Sequence, residues 1–212
     1  RHRITQRVTL VGAAVNCALA SLQIVFGLLG KSQALVADGI HTLSDLCTDF
    51  IVLYASRRSA KAADKAHPYG HGRIETLASM LLGAILGMVG IGIGIRGADS
   101  IINPTNVNPE AITLVFAGLA IVAKESLYHY TLRAARATHS AMLEANAWHH
   151  RSDALSSIVV VAGISAQLLG VPYMDATAAI IVAAMVALIG LRLARKALDE
   201  LVDTSLEPEL IE

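Results

Sequence analysis

Six apolar stretches, each long enough to cross a bilayer, occupy most of this 212-residue chain, since about 20 consecutive apolar residues suffice for a membrane-spanning helix. They run from Val8 to Gly30, from Ala34 to about Ser56, from Ile74 to Ile102, from Ala111 to about Leu132, from about Met142 to Leu169, and from a Gly170–Val171–Pro172 turn to about Leu191. No A-x-A-like site ends the first run, so it reads as a span and not as a cleaved leader. Charged residues make up 16% of the chain, against roughly 25% in an ordinary soluble domain. The 17 basic and 17 acidic residues cancel, which leaves no global positive field for nucleic acid. Cys17 and Cys47 lie inside apolar runs without C-x-x-C spacing, so they form neither a disulfide scaffold nor a zinc ribbon. Period-2 alternation is absent, which excludes a β-barrel. The expected fold is an all-α membrane protein with six transmembrane helices.

The basic residues orient it. Alternate connections hold Arg1, Arg3 and Arg7; Arg57, Arg58, Lys61, Lys65 and Arg73; Arg133 and Arg136; and Arg192, Arg195 and Lys196. The intervening links hold Lys31 and no other lysine or arginine. Cytoplasmic loops carry the excess of positive charge, so both termini are expected in the cytoplasm. In a bacterial inner membrane the opposite face would be periplasmic. A soluble bundle of very apolar helices fits neither the run lengths nor this asymmetry.

The third run contains G-x-x-x-G pairs at Gly83/Gly87 and Gly90/Gly94. Small residues four apart let helices approach closely in lipid, where apolar burial gives no drive to associate. The pattern serves either a dimer interface or packing within the chain. Arg96 and Asp99, three apart near the end of this run, are placed to pair on one face.

Ionisable side chains inside a membrane are costly and therefore functional candidates. Asp38, His41, Asp45 and Asp49 lie at offsets that stack them along one stripe of the second helix. In the fifth, His149 and Asp153 are four apart and face the same way. Two helices thus each offer H-x-x-x-D, and two imidazoles with two carboxylates can close a tetrahedron that suits Zn²⁺. Fe²⁺, Mn²⁺ and Co²⁺ are compatible with the same donors. The register leaves alternatives open: Asp45 and Asp49 also form D-x-x-x-D, and Asp38 could replace a ligand. His150 is rotated about 100° from His149 and is a poorer ligand. In the fourth run, Glu125 and His129 could relay protons, while Lys124 could pair with Tyr128 or across to another helix.

Three segments carry a family resemblance. A-D-G-I-H-T-L-S-D (37–45), H-P-Y-G-H-G-R-I-E (67–75) and E-A-N-A-W-H-H-R-S-D (144–153) resemble, in order, motifs of the cation diffusion facilitator family. The resemblance covers nearly the whole chain. It implies a homodimeric exporter, embedded in membrane lipid, that exchanges a divalent cation for protons, with His41, Asp45, His149 and Asp153 as transport site. Histidine at position 41 is similar to the family's zinc-selective pattern. The resemblance also implies a second metal site in the loop between the second and third spans, using Asp64, His67 and His71. It further implies a charge interlock between Arg73 and Asp203. It divides the chain into a transport domain over 1–200 and, over 201–212, the start of a linker to a cytoplasmic domain.

The leading expectation is therefore a Zn²⁺/H⁺ antiporter working by alternating access, with Cd²⁺, Fe²⁺, Mn²⁺ or Co²⁺ as other cargo. Binding requires neutral imidazole and ionised carboxylate, so loading the metal displaces protons. His41 and His149 are the natural coupling groups, because histidine changes charge near physiological pH. An intramembrane metal-dependent hydrolase would need a catalytic base beyond the ligands, and no H-E-x-x-H motif supplies one. A metal-binding channel would lack proton coupling.

Overall fold

The computed structural model describes residues 2–59, 72–103 and 108–202. Among these there are six helices and no strand: α1 (His2–Leu29), α2 (Gln33–Ser59), α3 (Gly72–Ile102), α4 (Ala111–Thr138), α5 (Ala141–Leu168) and α6 (Met174–Leu201). Four of them, α1 (from Arg7), α3 (from Thr76), α4 and α6, are long and apolar enough to cross a membrane. The other two, α2 and α5, are of similar length but hold clusters of ionisable residues in their apolar stretches, Asp38, His41 and Asp45 in one and His149, His150, Arg151 and Asp153 in the other.

Local chemistry sets the helix ends. At the α1–α2 turn Lys31 takes a left-handed φ of 57°, and Ser32 Oγ accepts the Leu35 N–H at 3.1 Å as an N-cap. The Asp175 carboxylate, from the first turn of α6, accepts the Ser32 hydroxyl at 2.5 Å and the Gln33 N–H at 2.7 Å. His139, with φ 49°, ends α4, and Ser140 caps α5 through the Leu143 N–H. Gly170 at φ 95° turns the chain toward α6, a conformation that costs a residue without Cβ nothing. The helices α4 and α6 continue beyond their apolar stretches to Thr138 and Leu201, because the charged segments that follow hold no helix breaker.

The chain forms two compact units. The first comprises residues 1–46 and 92–184. Its core is built largely of small residues: Ala34 and Ala37 of α2, Ala117 of α4, and Ala178 and Ala179 of α6, closed by Leu35, Val160, Ile164 and Val182. Phe26 and Phe116 stack at its side with ring centroids 3.7 Å apart. Leu10, Leu22 and Val25 of α1 and Val115 and Val122 of α4 lie exposed, while Asp38 and Lys124 are fully buried. Apolar outside and charged inside is the distribution expected where lipid is the solvent.

In the second unit, residues 47–91 and 185–212, α3 and α6 meet at glycines. A Cβ on Gly83 would lie 2.5 Å from the Ala194 nitrogen, and one on Gly190 would lie 2.5 Å from the Gly87 nitrogen. Gly83 therefore packs against a helix of the same chain, whereas a Cβ on Gly87 would meet nothing within 4 Å. In the first unit, at the far end of α3, Asp99 accepts from the side-chain amide of Asn103 at 2.7 Å.

Candidate metal centre

All four residues of the two H-x-x-x-D motifs belong to the first unit. On α2, one helical turn separates His41 from Asp45, and His41 Nε2 lies 3.8 Å from Asp45 Oδ2. On α5, His149 Nε2 lies 3.7 Å from Asp153 Oδ2. Between the helices, His41 Nε2 lies 4.0 Å from Asp153 Oδ1. One donor atom from each of His41, Asp45 and Asp153 falls within 4.8 Å of the other two. Around an ion with bonds near 2.1 Å, tetrahedral donors stand about 3.4 Å apart, so the His41–Asp45, His41–Asp153 and His149–Asp153 pairs need only tenths of an ångström to close.

Burial divides the set. His41 and Asp153 are buried and Asp45 nearly so, whereas the His149 side chain is 44% exposed. Asp45 Oδ2, which faces His41 Nε2, has no hydrogen-bond partner. A buried polar atom without a partner is costly, and a cation is a partner that its lone pairs suit.

Asp38 goes elsewhere. Its carboxylate accepts from Ser157 Oγ at 2.7 Å, from Ser156 Oγ at 3.5 Å and from the Gln23 side-chain amide, and it pairs with Lys124 Nζ at 3.4 Å. Lys124 also donates to Ser157 Oγ at 2.8 Å and to the Asp153 carbonyl at 3.5 Å. Of the two partnerships open to Lys124, the one across helices is made. Desolvating such a pair costs on the order of several kcal/mol per ion, which these additional hydrogen bonds offset. Gln23, Ser156 and Ser157 were not singled out in the sequence. The available signal was Ser157, one turn beyond Asp153 on the same face.

His150 is buried beside α1, where a Cβ on Gly12 would lie 3.6 Å from its Nε2, and neither of its ring nitrogens has a hydrogen-bond partner. Glu125 and His129 form an exposed pair 3.4 Å apart. Arg151 lies over the rings of Tyr128 and Trp148 and donates to the Tyr128 hydroxyl at 3.1 Å. Asp64, His67, His71 and Asp203 fall outside the described residues, as do the side chains of Asp49 and Arg73.

Comparison with known proteins gives a match to the cation efflux transmembrane domain over residues 9–202. The chain is 33% identical to the manganese efflux system protein MneP of Bacillus subtilis, covering all of this chain and 73% of that protein. It is 41% identical to an uncharacterized transporter of Methanocaldococcus jannaschii over 81% of this chain and 61% of that one. It is 31% identical to metal tolerance protein 2 of rice, Oryza sativa subsp. japonica, over 98% of this chain. The chain spans only 60% of the rice protein's length.

Proposed function

The chain belongs to the cation diffusion facilitator (cation efflux) family, and from that premise we propose that it exports a divalent metal cation, Zn²⁺ foremost, in exchange for protons by alternating access. The cation is held by His41, Asp45, His149 and Asp153. The observation that carries the reading is the convergence of His41, Asp45 and Asp153 from two helices, with His149 against Asp153. Two carboxylates offset the charge of a divalent ion, and two imidazoles favour Zn²⁺ over harder cations. Manganese is the cargo named for the Bacillus relative, which makes Mn²⁺ the first competitor.

The proposal extends to the setting. The transporter works as a homodimer with both termini in the cytoplasm, in a bacterial inner membrane, and α2 and α5 cross the bilayer with their charges turned to the bundle interior. Asp64, His67 and His71 form a second metal site in the cytoplasmic loop. The transport domain runs over 1–200, and 201–212 begin a linker to a cytoplasmic domain.

The test is the purified chain in proteoliposomes loaded with a pH-sensitive dye. Zinc added outside should drive protons out of the lumen as metal enters. Zinc entry without proton movement would make the protein a channel, and movement of neither would overturn the reading.

A further inference from the structure

Resting on the four-ligand reading, we propose that Lys124 determines which cation the site accepts, by holding Asp38 out of the ligand set. Asp38 is one turn from His41 on the same stripe of α2, so the helix itself would let its carboxylate serve the metal. Its lone pairs are taken instead. Lys124 Nζ and Ser156 Oγ face Oδ1, while Ser157 Oγ and the Gln23 amide face Oδ2. These partners come from α1, α4 and α5, and all of the side chains in the cluster are buried.

The charge count follows. Asp38 and Lys124 cancel as a pair, which leaves Asp45 and Asp153 to neutralise a divalent ion. Without the ammonium only the neutral donors Ser156, Ser157 and Gln23 hold Asp38, and its charge is uncompensated one turn from His41. A carboxylate drawn to the cation adds a hard oxygen to the donor set, which favours cations of the Mn²⁺ kind over Zn²⁺. Lys124 is thus a positioning residue: it acts on the metal through Asp38.

The experiment titrates the full chain in lipid nanodiscs with Zn²⁺ and with Mn²⁺ by calorimetry. Lys124→Gln should move the ratio of the two dissociation constants toward Mn²⁺ by about tenfold, because the added donor is a hard oxygen while the two ions carry the same charge. The double variant Asp38→Asn with Lys124→Gln removes both charges and should restore the parental ratio. A merely structural role for the pair would weaken both metals alike, so a parental ratio in Lys124→Gln overturns the assignment. So does a shifted ratio that persists in the double variant. If Lys124→Gln does not fold, Lys124→Met, which removes the ammonium and keeps a buried apolar stem, supplies the same reading. The ratio should again move toward Mn²⁺ by about tenfold, and a parental ratio overturns the assignment. Zinc affinity that survives Asp153→Ala would instead remove the four-ligand site, and the role of Lys124 with it.

Discussion

Asp153 stands between two imidazoles, its Oδ1 4.0 Å from His41 on α2 and its Oδ2 3.7 Å from His149 on its own helix. One carboxylate thereby joins both motifs, and it is the member of the set whose loss separates them.

Asp153→Ala should reduce zinc uptake into inside-out vesicles to background, because one carboxylate cannot neutralise a divalent ion in a low dielectric. The variant should still fold, since a costly intramembrane charge has been removed. Uptake at the parental rate, with expression matched, would exclude the four-ligand site.

His41→Asp keeps four ligands while exchanging a nitrogen for a hard oxygen. Selectivity should broaden toward Mn²⁺, Fe²⁺ or Cd²⁺, with some zinc transport retained. Competition of each metal against radioactive zinc in the same vesicles measures it. An unchanged order of preference would show that position 41 does not touch the cargo.

Zinc affinity should fall with acidification. The binding form has neutral imidazoles and ionised carboxylates, so protons compete directly with the metal. Below the range in which histidine ordinarily takes up its proton, each displaced proton costs about tenfold in apparent affinity per pH unit. Calorimetry at pH 7.5 and pH 6.0, in buffers of different ionisation heat, gives both the slope and the proton count. Affinity independent of pH would leave exchange without a basis.

Gly83→Ala should lower the thermal midpoint in detergent, by an amount equivalent to about 1–3 kcal/mol of overpacking. The cause is local: its Cβ would stand 2.5 Å from the Ala194 nitrogen and 2.6 Å from the Gly190 oxygen. Gly92→Ala is the matched control, because nothing lies within 4 Å of its Cβ, and it should be neutral. Equal midpoints for the two would mean that the α3–α6 approach does not depend on Gly83.

Topology can be read by thiol labelling. A cysteine at Asn108, on a background in which Cys17 and Cys47 are replaced, should react from the outside of whole cells. Labelling only after the membrane is opened would invert the orientation inferred from the basic loops.

The H-x-x-x-D registers were legible in the sequence because helical periodicity alone puts residues four apart on one face. That α2 and α5 turn these faces together was legible for a different reason: charges within apolar runs have few other places to go. The partner of Asp38 was not legible. Pairing it with Lys124 requires the rotation of α4 about its axis, which depends on side-chain packing along the whole helix. The greater exposure of His149 relative to His41, Asp45 and Asp153 also depends on how the helices are splayed. The glycines of the third run announced a close approach, but their partner Gly190 lies about a hundred residues away, and no local pattern names it.

The Asp175 clamp fixes the first turn of α2, so any tilt of that helix would grow with distance from it. With Ser32 and Gln33 held, His41 lies about 12 Å from the pivot and Asp45 about 18 Å, at 1.5 Å per residue. A tilt of about one degree carries Asp45 roughly 0.3 Å, which already exceeds the ~0.2 Å tolerance of a metal–ligand bond, and it carries His41 about two-thirds as far. A small swing about the clamped end is therefore enough to tighten or open a coordination shell, and it changes the carboxylate's position more than the imidazole's.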